Sequence, residues 1–253
     1  MEQVISITTA LGIFILLICI YITYLHLKVY FSEPVNNIVN YYWGIGFIHL
    51  FIAALFFAIL VILRPLNPIM YIVIFLIYYN YSLVIIAIVA LKLSFEQSKK
   101  SPKLHKITKL AIRISFIFYQ LILLYYVFEN LNCLVVDDNL FFMRFNNFNY
   151  SLFFESYTFL MVLFIYIIFP KDYPITGKFF KGSFGLLALA EGIRIIDLIL
   201  GDNILIKIFS LSIITIAVIT LQLSVLLEYK KNIAFIKYNR KIGRRKEDRI
   251  NGI

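Results

Sequence analysis

Apolar residues gather in seven long runs, roughly 4–26, 41–63, 68–92, 110–128, 151–169, 183–200 and 204–227. A helix needs about 20 such residues to cross the hydrocarbon of a bilayer, and most of the runs reach that length. The sixth is short and the most polar. The breaks carry residues that end helices: Pro34 with Asn36 and Asn37, Pro65 and Pro68, Pro102, Pro170 and Pro174, and Gly201-Asp202-Asn203. The pattern predicts an all-α, polytopic transmembrane bundle of about seven helices over 1–228. A basic amphipathic tail over 229–253 follows, with Ile233, Phe235, Ile236, Tyr238 and Ile242 among its cations.

Composition supports the same division. Hydrophobic residues make up 62% of the chain and charged ones 15%, against about 45–50% and 25% for a soluble domain. The mean hydropathy of +0.88 is too apolar for a surface that faces water. Met1-Glu2-Gln3-Val4 lacks the positive start of a signal peptide, so the first run is expected to be retained as a helix.

Charge orients the spans. Of the 24 Lys and Arg, about 20 sort to one side by the positive-inside rule: Lys28, the cluster from Lys92 to Arg113, Lys171, Lys178 and Lys181, and the tail. The opposite side has Arg64 and Arg144, with Lys207 at its edge, and Arg194 is inside the sixth run. The N-terminus is therefore expected outside and the C-terminus in the cytoplasm of a multi-pass protein, most simply in a prokaryotic plasma membrane. The net charge of +10 then follows from topology and from a tail that contacts anionic lipid. It requires no nucleic acid. The expected partners are the bilayer itself, anionic lipid at the tail, and a membrane or cytoplasmic protein.

Ionisable groups inside the hydrocarbon are costly and mark candidate sites. The sixth run has Glu191, Arg194 and Asp197, spaced i, i+3, i+6 and so within about 120° of one another around a helix. Glu155 in the fifth run should reach a similar depth, making a Glu155–Arg194 or Glu155–Lys207 pair sterically reasonable. These five residues form the candidate ligand site or ion network. Further polar groups are candidates to line the same cavity: Asn80 beside Tyr78, Tyr79, Tyr81 and Ser82, then Tyr119 and Gln120, and Thr215 and Gln222 beside Ser212. The competing reading is packing, since polar groups in lipid hydrogen-bond between helices. His49 is read as a satisfied histidine bonded to a neighbouring helix. His26 lies too far from it for a shared ion. Cys19 and Cys133 are read as free thiols without metal spacing. No metal, cofactor or catalytic residue is assigned, and no nucleophile–base pair or phosphate loop marks an enzyme.

Named seven-helix families fail on residues. Lys207 lies near the start of the last run, where microbial rhodopsins carry a Schiff-base lysine midway. Three histidines leave no zinc set for a metal-dependent lipid hydrolase. Gly182-Ser183-Phe184-Gly185 does not match the rhomboid serine motif, and Leu91-Lys92-Leu93 is not the basic end of a receptor helix. The layout alone resembles the seven-helix membrane input modules of prokaryotic sensors, whose last helix runs into the cytoplasm. Three functions remain open: a sensor or receptor with a polar outward-facing site, a proton- or cation-coupled transporter, and an accessory subunit of a membrane complex.

Overall fold

The computed structural model describes 38–63, 69–98, 102–129, 134–136, 143–145, 147–170, 175–201 and 203–250, with parts of 17–31; at several positions, 134–136, 143–145 and 231–250 among them, it describes the backbone alone. Among the described residues the chain forms seven helices. They are α1, helical at described positions within 17–31, α2 (Ile38–Leu63), α3 (Ile69–Ser98), α4 (Pro102–Glu129), α5 (Phe148–Ile168), α6 (Ile175–Leu200) and α7 (Ile204–Ile250). Four segments among them, Met70–Glu96, Lys103–Phe128, Phe148–Ile168 and Leu205–Ser224, are long and apolar enough to cross a membrane. The chain is an all-α bundle of the membrane-spanning kind.

Several helices outrun their apolar stretches, because backbone hydrogen bonding continues where hydropathy has already fallen. Pro102 does not break the chain there but starts α4, a position where its missing N–H costs nothing. α7 runs through 228 and 229 without a break, and its 47 residues span about 70 Å at 1.5 Å per residue. Between α4 and α5, in the stretch 129–150 that the sequence reads as an apolar outer loop running from Asp137-Asp138 into Phe141 and Phe142, β1 (Leu134–Val136) and β2 (Met143–Phe145) form an antiparallel ribbon with Val135 opposite Arg144. Phe141, Phe142, Asp137 and Asp138 lie outside the described residues, as do Cys19, Cys133 and His26.

α3 is the centre of the bundle. It packs on α2, α4 and α5, and 56% of its apolar window is buried against 28% for α4 and for α7. Gly46 lets α2 approach closely, since a Cβ there would lie 3.4 Å from the side chains of Ile85 and Ile86. Phe47, Ile86, Val162 and Phe184 fill the interior. One face of α4, including Leu110, Ile114, Ile117, Leu121 and Phe128, is exposed. Such a stripe suits acyl chains as its solvent and would be anomalous in water.

α5 and α6 run antiparallel in a close register, with Tyr166 across Gly185 and Phe159 across Gly192. α5 begins at the N-cap Asn147, whose side chain accepts from the Asn149 N–H. At its other end Lys181 donates to the carbonyl of Phe169 at 3.1 Å, a cation on the negative end of the helix dipole. α6 and α7 form a tight hairpin. Gly201 takes φ 87°, a left-handed conformation that favours glycine after a helix. Asn203 caps α7 by accepting from the Leu205 N–H at 2.9 Å. At the end of the bundle away from this turn, Lys28 of α1 lies over the Tyr24 ring. Its ammonium donates to the hydroxyl oxygens of Tyr24 and of Tyr229 of α7, which raises its pKa above the usual lysine range, so α1 and α7 meet there.

Candidate functional site

Two polar networks sit side by side in the bundle, and α3 and α5 each contribute residues to both, adjacent on α3 and one turn apart on α5. The charged one centres on Arg194 of α6. Its Nη2 donates to Glu155 Oε1 of α5 at 2.6 Å, and its Nη1 donates to Glu191 Oε2 at 3.1 Å. The second contact is the i, i+3 pair that helical geometry offers. The first ties α5 to α6. Tyr79 of α3 donates its hydroxyl to Glu191 Oε1 at 3.4 Å, so a third helix joins. Arg194 lies six residues before the end of α6, about 9 Å from that end along the axis.

Exposure divides the members. The Glu191 side chain is 3% exposed, whereas Glu155 and Arg194 keep 19% and 24%. Glu155 and Arg194 are therefore the pair an incoming group would touch first. Among the described residues two carboxylates face one guanidinium, so these three groups together carry one surplus negative charge when both acids are ionised. Low dielectric makes such an imbalance costly. The site is chemically suited to accept a proton, a small cation or the cationic part of a ligand.

The neutral network lies on the other side of α3. Asn80 is fully buried. Its Nδ2 donates to Tyr119 Oη of α4 at 2.9 Å and to the Leu76 carbonyl at 3.0 Å. Thr158 Oγ1 of α5 lies 3.2 Å from Asn80 Oδ1 and 3.1 Å from the Phe154 carbonyl, so its single proton is shared between these two acceptors. Tyr119 stacks on Tyr157 at 4.4 Å and meets Phe154 edge-on at 5.1 Å. Asn80 and Tyr119 are thereby engaged in packing of α3, α4 and α5, with each polar atom of Asn80 bonded.

The remaining candidates separate from both networks. Asp197 is buried, but its Oδ1 accepts from the backbone N–H of Asn203 at 2.8 Å, which closes the α6–α7 turn. Lys207 is buried on the first turns of α7, where its N–H donates to the Asn203 carbonyl. Thr215 bonds the Leu211 carbonyl of its own helix. Gln120 and Gln222 are half-buried, and Gln120 Nε2 finds no hydrogen-bond partner among the described residues. Ser210 of α7 donates to the Ala190 carbonyl of α6 at 3.2 Å.

His49 was expected to bond a neighbouring helix. Instead Nδ1 lies 2.8 Å from the carbonyl of Ile45 in its own turn, and the ring packs among Tyr78 and Tyr81 of α3. Among the described residues no group of three His, Cys, Asp or Glu is arranged to hold a metal ion. Thr158 and the specific pairing of Tyr79 escaped sequence reasoning. A threonine within an apolar run and one tyrosine among 18 carry no local signal of partnership. Compared with known proteins, the chain matches no family model, no curated protein sequence and no solved structure.

Proposed function

We propose that this chain is a sensor- or receptor-like protein of a prokaryotic plasma membrane, with the basic end inside. The polar site around Glu155 and Arg194 faces outward and receives a charged or zwitterionic ligand, and α7 with its basic tail carries the response to lipid or to a cytoplasmic partner. One observation supports this reading above the rest. α6 holds two of the three network charges and is joined to α7 by a capped turn and the Ser210–Ala190 bond, and α7 continues unbroken to Ile250. A change in the ion pairs thus acts on one end of a stiff hairpin whose other arm is the tail.

Spin labels at Lys103 and Lys230, with Cys19 and Cys133 replaced by Ser, test the coupling by pulsed dipolar spectroscopy in nanodiscs. Arg194→Gln is expected to shift the inter-label distance by about 2 Å or more, the scale of helix shifts in switching proteins, with helicity by circular dichroism retained. An unchanged distance distribution in a folded variant would sink the sensor reading. Proton- or cation-coupled transport is the second reading, favoured by the surplus carboxylate of the network. Substrate flux in proteoliposomes that is lost in Glu191→Gln would favour it.

A further inference from the structure

Between α2 and α4 the bundle presents a band of rings to the bilayer. Both helices pack on α3 and not closely on each other, so a face of α3 is left open between them. His49 of α2 meets Tyr81 of α3 edge-on at 4.7 Å and stacks on Tyr78 at 5.7 Å. Tyr81 in turn reaches Phe116 of α4 at 5.4 Å. Tyr81 is 39% exposed and His49 is half-buried, which leaves the band reachable from the lipid side.

The histidine is polarised by its own helix. A carbonyl can only accept, so the Nδ1 that lies 2.8 Å from the Ile45 carbonyl carries the proton. Nε2 of the neutral ring is then an acceptor. It has no hydrogen-bond partner among the described residues, yet it keeps accessible surface. The hydroxyls of Tyr78 and Tyr81 make no hydrogen bond among the described residues either. Arg113 of α4, three residues before Phe116, bonds neither the histidine nor these tyrosines.

Depth decides what can complete this acceptor. Tyr81 lies about 17 Å from Met70 and about 23 Å from Glu96 along the span, and the hydrocarbon of one leaflet is about 15 Å deep. The band is therefore near the middle of the bilayer, where water is absent and an unpaired polar group is costly. A phospholipid keeps its headgroup at the interface and supplies no donor there. α2 has no charged residue and α3 none before Lys92, so an ionic head finds no counter-charge on either helix. A donor that fits is small, uncharged and attached to an apolar tail, and the flanking rings favour an aromatic one.

We propose that this recess binds the head of a lipid-soluble hydroquinone. One hydroxyl donates to His49 Nε2, the ring packs against Tyr81, and the tail lies in the bilayer. No residue is shared with the ion pairs at Arg194, so the site is independent of the sensor reading.

The test uses the full chain in nanodiscs, titrated by calorimetry with decylhydroquinone, its dimethyl ether or decylbenzoquinone, with empty nanodiscs as the blank. These probes share ring and tail, and only the first has O–H groups. Wild type should bind the hydroquinone about fivefold or more tightly than either of the others, the scale of one net hydrogen bond. His49→Phe keeps a ring beside Tyr78 and Tyr81 but no acceptor. It should abolish that preference and leave the affinity for the ether unaltered, with its thermal melt as the check on folding. Nitrogen NMR of wild type labelled at its histidines is a reading independent of the variant. One Nε2 signal should move with the hydroquinone and stay in place with the ether. Equal binding of the three probes by wild type, a preference retained in folded His49→Phe, or the absence of any histidine shift would each overturn the proposal. Dodecanol bound as tightly as decylhydroquinone would reassign the recess to any lipid alcohol and would also overturn it.

Discussion

The neutral and charged networks are built from neighbouring residues and behave as different devices. Asn80 and Tyr79 are adjacent on α3, and Thr158 and Glu155 are one turn apart on α5, yet Asn80 joins Tyr119 of α4 and Thr158 joins Asn80, while Tyr79 and Glu155 both join α6. Around Asn80, both polar atoms of the amide are bonded, no charge is left over, and the network is buried. Its role is to hold three helices in one register, as buried polar groups do in lipid. Around Arg194, hydrogen bonding is as close but the charges do not match, and two members stay partly exposed. The difference teaches that a polar cluster in a membrane is informative by its balance, since a closed neutral set explains itself through packing and an unbalanced ionic set does not.

Substitutions sharpen this contrast when unfolding free energies are measured by denaturing-detergent titration in bicelles. The largest effect is expected for Arg194→Gln. It leaves Glu155 and Glu191 facing each other without their cation, and breaking a buried pair from one side costs about 3–5 kcal/mol. A loss under roughly 1 kcal/mol, the scale of an exposed pair, would mean that the network is effectively solvated. Next comes Asn80→Leu, which removes the amide that links Tyr119 to Thr158 and should cost about 1–2 kcal/mol, the range for interhelical hydrogen bonds in lipid. If it matched Arg194→Gln, the distinction between the networks would fail. The smallest effect should be Glu155→Gln. It keeps an acceptor beside Arg194 while leaving a neutral Arg194–Glu191 pair, so the change should stay within about 1 kcal/mol in either direction. A large loss there would show that both carboxylates are needed as charges.

Much of this was legible along the chain. Seven apolar runs became seven helices, and α6 stood out because Glu191, Arg194 and Asp197 interrupt its hydropathy. The depth match between Glu155 and Arg194 could be counted from the ends of their runs, and the structure joins them at 2.6 Å. The fate of Asp197 could not be counted. It shares a face with Arg194 by helical spacing, but it lies one turn nearer the hairpin and the Asn203 N–H takes it. Asn80 and Tyr119 were candidates for cavity lining or for packing between helices, and the structure bonds them to each other.

What the sequence determined by itself is therefore the number of helices, their approximate extent and the sorting of charge along them. Each of these depends on a segment's own composition measured against the thickness of a bilayer. The tertiary structure alone decided which acids share Arg194 and which polar residues close on each other. Those depend on the rotation and register of one helix against another. A residue's direction turns by about 100° at each step along a helix, and no local pattern specifies which neighbour it will face.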